Sequence, residues 1–341
     1  MSSAADDVIA VAAPRDLPNV QADRQALGLV RPYLGRVAWP TVFLALVIIA
    51  AFGVVTALAA MHIIPLWLGL VLNTVVLYFD QTPLHEACHG NIAGKNSKML
   101  WLNDTVGFLC GAILLHEFKA FRFMHLAHHR ETNNPDLDPD NWVAVEGPFT
   151  ILWRCLTIVY WYYQYFWKHI ASAAFHGHIP RMRLLALHIV LTYAALYGLA
   201  LSLAVFGWWR EVLALWIAPH ILASALIIYL FAYLTHKPHK IHERYRDTNI
   251  FWVRGKIIEP TVNWLYMFQN FHLVHHLFPR IPFYLYPNAF QRLKPVLEKE
   301  QAHIYLFGAA RRQSWGRPFS ACRHARSEAE HEPRKGQLGK G

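Results

Sequence analysis

The sequence predicts an all-α integral membrane protein with four transmembrane helices in two hairpins. Interfacial helices and a cytosolic histidine-rich cap complete the expected architecture. Three observations predict this. The 341-residue chain is 55% hydrophobic and only 16% charged, too apolar for a disordered chain and more apolar than an ordinary soluble domain. Its long uncharged runs fall in two close pairs. Eight of its 21 histidines gather in three short clusters beside those runs rather than within them.

The first pair is Thr41 to Met61 and Ile63 to Phe79, neither holding a Lys, Arg, Asp or Glu. A helix needs about 20 apolar residues to cross the hydrocarbon core, and the tiny link makes a hairpin. The second pair is Leu184 to Trp209 and Val212 to Leu234, parted by Arg210 and Glu211. Trp101 to Leu115 contains Asp104 and is short, so an interfacial or re-entrant piece is expected. Phe149 to Trp167 carries Arg154 and a cluster of Tyr and Trp, which favour the membrane–water boundary. It reads as an interfacial helix.

Basic residues set the orientation. The short links hold only Arg210, whereas the termini and the central segment hold nearly all the others. By the positive-inside rule both termini and the central segment face the cytoplasm. Three parts follow: a disordered or amphipathic cytosolic segment at 1–36, a membrane domain at 37–300 and a basic cytosolic tail at 301–341. Residues 308–341 carry eight Lys or Arg against three Glu. In so apolar a chain, the net charge of +10 points to anionic headgroups or an acidic partner rather than to nucleic acid. The four cysteines are scattered without a CxxC pair, which fits a reducing compartment. Met1 to Asn19 lacks the pattern of a signal peptide. A bacterial inner membrane or the endoplasmic reticulum is the expected location.

Three histidine clusters carry the chemistry: His85-Glu-Ala-Cys-His89, His125-Leu-Ala-His128-His129 and His272-Leu-Val-His275-His276. Positions i, i+3 and i+4 share one face of a helix, so each cluster presents its imidazoles together. The two-hairpin topology brings all three to one membrane face. Eight imidazoles exceed what one metal ion can use, which suggests two ions. Zinc has no redox chemistry and seldom needs so many His, so a redox-active pair, iron, is expected. Residues 85–89 also match the HExxH pattern of zinc proteases, but a single zinc would leave the other two clusters largely idle. Glu86, Asp138 and Asn270 are expected to orient ligating imidazoles, because a metal-bound His usually donates its other N–H to a carboxylate or carbonyl.

These motifs, quoted as HEACHGN (His85 to Asn91), HLAHHRETNNPDLDPDNW (His125 to Trp142) and NFHLVHHLFPRIP (Asn270 to Pro282), resemble the three histidine boxes of the membrane fatty-acid desaturase superfamily. The resemblance covers about Val75 to Pro287. It implies that His85, His89, His125, His128, His129, His272, His275 and His276 hold a non-haem di-iron centre. The superfamily commonly adds a ligand after the last spanning helix, which implies His236 in the stretch YLTHKPH. That stretch resembles the carotenoid branch, with Thr235 in place of a proline.

The resemblance implies an O2-dependent oxidoreductase acting on a lipid-like apolar substrate, with electrons from an external ferredoxin or cytochrome b5 and its reductase. Desaturation of an acyl chain is favoured by the third box. Hydroxylation or ketolation of a carotenoid, lipid or hydrocarbon is the alternative, favoured by YLTHKPH and NPDLDPD. From another class, a His-rich metal transporter would place ionisable residues along its spanning helices, and a metal-binding module would consume no oxygen.

Overall fold

A computed structural model describes residues 20–171 and 180–307. The loose lead-in expected at 1–19 and the basic tail from 308 lie outside the described residues. Helix α1 (Val20–Val30) buries Ala22, Ala26 and Val30. These fall every fourth residue, on one helical stripe. Helix α2 (Trp39–Ala60) has no charged side chain in its 22 residues, about 33 Å at 1.5 Å per residue. Helix α3 (Leu66–Cys88) packs along it.

The sequence reading ends the second apolar run at Phe79 and puts the first histidine cluster after it. The helix instead continues through Asp80 and Pro83 to Cys88. His85 and Glu86 therefore ride the same rod as the apolar residues. It stops at Gly90, whose φ of 71° suits a residue without a Cβ. Near its other end, Asn73 Nδ2 donates to the Leu215 carbonyl at 2.8 Å and stands 3.0 Å from Thr56 Oγ1. One buried amide thus ties three apolar segments, where helices lack a hydrophobic force between them.

Helices α4 (Leu100–Ile113) and α5 (Phe118–Glu131) meet at a sharp bend. The stretches Ser97–Ile113 and Phe118–Glu131 differ in direction by 100°. Leu115 takes a positive φ of 52° there. Glu117 caps α5 by accepting from the Ala120 N–H at 2.6 Å. The single interfacial helix expected at 149–167 is instead two short helices, α6 (Pro148–Leu156) and α7 (Ile158–Tyr165). Exposed Phe149, Leu152 and Trp153 line the outer side of α6.

Helix α8 (Pro180–Leu203) leads to Gly207, whose φ of 102° is not helical. A mixed run of α and π turns then includes α9 (Ala218–Ile227) and ends at His236. A straight rod of the 55 residues Met182–His236 would reach about 80 Å. Yet Met182, Ala186 and Ile189 pack on Ala120 and Met124 of α5, and the His236 ring lies 4.7 Å from His128 of the same helix. A 14-residue helix cannot touch both ends unless the chain doubles back, and Gly207 permits that reversal.

Four separate spans are not reproduced one for one. Among the described residues, two helical stretches are long and apolar enough to cross a membrane, Trp39–Ala60 and Met182–His236, or three if the bent pair is one span. The polar second half of α3 dilutes its apolar start, and the second pair of runs is continuous around Gly207.

The all-α expectation is also corrected. Strand β1 (Asn249–Val253) pairs in parallel with β2 (His303–Phe307), Ile250 opposite Ile304. Between them lie α10 (Ile258–Leu265), α11 (His272–Leu277) and α12 (Tyr286–Lys299). This C-terminal cap shares a core with α1, built on Ile250, Phe271, Tyr286, Phe290 and Leu297. The chain from 301 to 307 therefore belongs to the fold.

Space at two glycines separates packing from propensity. A Cβ on Gly111 would meet the His116 backbone carbonyl, whereas one on Gly53 meets nothing within 4 Å. Gly111→Ala is expected to lower stability by about 1–3 kcal/mol, and Gly53→Ala to lower it not at all. Thermal unfolding in detergent checks both.

Candidate metal centre

The elements that deliver the nine predicted histidines are held by short polar ties. His85 lies near the end of α3, and His89 caps it. His125, His128 and His129 share one face of α5. His272, His275 and His276 occupy α11, all buried in the C-terminal cap. His236 ends the returning helical run. Asn91 Nδ2 bridges the first cluster to the chain after the third, donating to Glu86 Oε1 and to the Pro279 carbonyl, both at 2.9 Å. Asn133, with a positive φ of 64°, sends its amide to the carbonyls of Ile241 and Asp247 at 2.7 and 2.8 Å. It joins the end of α5 to the loop after His236.

These side chains form two adjoining groups, each with its candidate ligand atoms within 4.8 Å of one another. One holds His85, His89, His125, His129 and His275; the other holds His128, His236, His272 and His276. The groups touch through His129 and His276, whose ring centroids are 4.2 Å apart. No histidine of the three clusters falls outside them.

Nitrogen positions test whether metal ions fit. His125 Nε2 lies 2.9 Å from His89 Nε2 and 3.0 Å from His129 Nε2. His272 Nε2 lies 2.9 Å from His236 Nε2 and 3.1 Å from His276 Nε2. The outward nitrogen of His272, Nδ1, is 2.9 Å from Gln269 Oε1. A carbonyl oxygen only accepts, so Nδ1 carries the proton and Nε2 a lone pair. His128 Nδ1 donates to Asp138 Oδ1 at 2.8 Å, which turns its Nε2 toward the group. His275 Nε2 is buried without a hydrogen-bond partner among the described residues. One N–H···N hydrogen bond can satisfy a pair at these distances, but the third nitrogen of each trio must share the same lone pair, whereas one cation per group takes a lone pair from every ring. Nitrogens at right angles on bonds of about 2.1 Å stand about 3.0 Å apart, against about 3.4 Å for a tetrahedral pair. The observed spacings match the right-angled case.

Burial, and then the neighbouring imidazoles, pushes His275 and His276 well below the ordinary histidine range. Burial with His128 and His85 does the same to His272. These rings are neutral and able to coordinate at ordinary pH.

Of the three residues expected to orient imidazoles, only Asp138 does so in the structure. It also accepts from the backbone N–H groups of Asn133 and Asp140, at 2.7 and 2.9 Å. Glu86 accepts from Asn91 instead, and Asn270 donates to the Phe251 carbonyl and Asn263 Oδ1, at 3.1 and 2.9 Å. Glu86 thereby holds the Asn91 amide that also reaches the Pro279 carbonyl, and Asn270 ties its turn to β1 at Phe251. Sequence reasoning missed Gln269 and Tyr286, whose hydroxyl is 2.9 Å from His275 Nδ1. Gln269 sits three residues before His272, a spacing that could have marked it. Tyr286 comes from the next helix, and no local pattern announces it. His239 and His242 lie outside both groups, and His242 Nδ1 stands 3.2 Å from the Thr132 carbonyl.

A cavity opens beside the nine histidines. His85, His125, His128 and His272 form one wall, and Phe121, Met124, Ile227 and Phe231 supply much of the rest.

Comparison with known proteins agrees with this architecture. Residues 61–308 match the fatty acid desaturase family. The chain is 26% identical over 249 residues to a Delta(9) fatty acid conjugase-like enzyme of Dimorphotheca sinuata, covering 62% of this chain and 64% of that one. It is 26% identical over 281 residues to an sn-1 oleoyl-lipid 12-desaturase of Picosynechococcus, covering 75% and 76%. It is 24% identical over 219 residues to an sn-1 acyl-lipid omega-3 desaturase (ferredoxin) of Nostoc, covering 59% and 60%. The chain thus spans slightly under two thirds of the first of these relatives. Three histidine boxes gathered into two imidazole groups, on a family match reaching across most of the sequence, place the chain in the fatty acid desaturase family.

Proposed function

We propose that this protein is a membrane-bound di-iron oxidoreductase that uses O2 to desaturate an acyl chain or similar lipid. The observation that carries the reading is the division of nine buried or half-buried imidazoles into two groups of five and four, facing a largely apolar cavity. The all-imidazole donor set suits a redox-active first-row metal. Bound iron would supply O2 activation and hydrogen removal from an unactivated C–H bond.

His85, His89, His125, His129 and His275 would hold one ion, and His128, His236, His272 and His276 the other. Asp138 and Gln269 hold His128 and His272 with Nε2 inward, so coordination requires no change of tautomer. Phe121, Met124, Ile227 and Phe231 exclude water from the face where a chain would lie. The sequence-derived orientation puts two hairpins in the membrane and this site at its cytoplasmic side. A substrate would then enter from the lipid, and an acidic electron carrier such as a ferredoxin or cytochrome b5 would approach from the cytosol. The relative named for ferredoxin supports a small soluble donor.

Two measurements test the reading. Purified protein should bind two iron ions per chain. His275→Ala and His272→Ala should each lower that content by impairing a different group, and Asp138→Ala should weaken iron affinity by about 10- to 100-fold. Wild-type protein without bound iron under iron-replete expression would overturn the di-iron assignment.

Mass spectrometry of lipids from cells expressing wild type or His128→Ala checks the reaction. A species lighter by two hydrogens and absent from the variant is expected. A product heavier by one oxygen would reassign the enzyme as a hydroxylase, and a carbonyl product would reassign it as a ketolase.

A further inference from the structure

The cavity beside the histidines is not uniformly apolar. His116, from the bend between α4 and α5, and Ser224, from α9, both line it. Ser224 Oγ stands 3.5 Å from His116 Nε2 and 3.5 Å from His220 Nδ1, at the outer limit of hydrogen bonding. Ser224 and His220 are 2% and 3% exposed. His116 Nδ1 is shielded from solvent and has no hydrogen-bond partner among the described residues. Each of these groups can donate or accept, and buried polar groups ordinarily find good partners. His116 and Ser224 face the cavity with only long polar contacts, and His220 stands behind Ser224 with a hydrogen bond to the Leu114 backbone.

Their place relative to the metal groups is defined by a stack of rings. Phe121 lies 5.8 Å from His116 and is inclined to it by 20°. Its other neighbour is His125, at 5.7 Å and 10°. The polar cluster is therefore one aromatic ring removed from a candidate ligand, along the wall of the same cavity. A hydrocarbon chain gains nothing from these groups, whereas a hydroxyl can both accept from and donate to them and a carbonyl can accept. A site built to hydrogen-bond a substrate group discriminates strongly against an analogue lacking it.

We propose that His116 and Ser224, backed by His220, form a subsite for a neutral oxygen function, a hydroxyl or carbonyl, on the lipid substrate. The inference rests on the di-iron reading, since it assigns the cavity to that reaction's substrate. The subsite would fix the chain lengthwise and so select which carbon faces the metal groups. His116 and Ser224 are thereby positioning residues.

Equilibrium binding of radiolabelled hexadecan-1-ol and hexadecane to the iron-loaded protein in lipid nanodiscs tests this directly. Wild type should prefer the alcohol by at least tenfold relative to empty nanodiscs. Ser224→Ala and His116→Phe should reduce that preference to less than twofold while hexadecane binding stays the same. Ser224→Ala removes one hydroxyl only, so it answers the question even if His116→Phe folds poorly. No preference in the wild type, or a preference that survives Ser224→Ala, overturns the subsite. Oxygen uptake and product formation are followed separately. Their absence from the wild type with the binding preference intact would sink the oxidoreductase reading alone, and activity without the preference would sink the subsite alone.

Discussion

Nine buried or half-buried imidazoles crowd into two adjoining groups at one junction. The helices, the cap and the polar ties around them hold that crowding in place. An unbound imidazole cluster is costly to bury, because its nitrogens crowd one another without water to satisfy them. The structure meets the cost by fixing the rings from behind. Asp138 and Gln269 take the outward N–H of His128 and His272, and Tyr286 stands behind His275. These three rings are thus fixed in orientation, as the proposed coordination requires.

That requirement explains the unusual division of labour among the helices. α3 is apolar where it packs on α2 and polar where it enters the junction, so one rod carries both a membrane-compatible surface and the first box. The bend after α4 lets α5 turn its histidine face toward α3 and α11. The C-terminal cap buries α11 completely, and the parallel strand pair closes that cap from residues far apart in the chain. Asn91 and Asn133 tie the boxes to one another through backbone carbonyls rather than through the imidazoles themselves. The metal-facing nitrogens are left for coordination.

The cavity joins this rigid centre to the apolar helices. Phe121 is shared between them: one face of its ring meets His125, and the other meets His116. The wall that excludes water from the centre is therefore also the wall that carries the polar cluster. The chain belongs to the fatty acid desaturase family, and the relatives named above include desaturases and conjugases alike. On the proposed reading, the position of a substrate chain in this cavity would select the carbon that reacts.

The histidine spacing, read along the chain, brought together eight of the nine, because i, i+3 and i+4 on a helix place side chains together whatever the helix packs against; His236 came from the resemblance and not from spacing. The uncharged runs likewise announced the apolar helices. What the sequence left open depended on partners distant in the chain. Which histidine joins which group is decided by the meeting of α3, α5 and α11. Glu86 and Asn270 looked suited to orient rings by proximity, yet Asn91, Asn263 and the Phe251 carbonyl claim them. Local periodicity could not reveal the parallel pairing of β1 with β2, because a strand needs its partner to be a strand. The helix through Asp80 and the place of the reversal, at Gly207 instead of the expected Arg210–Glu211 link, were decided the same way, by burial and backbone freedom that only the assembled fold supplies.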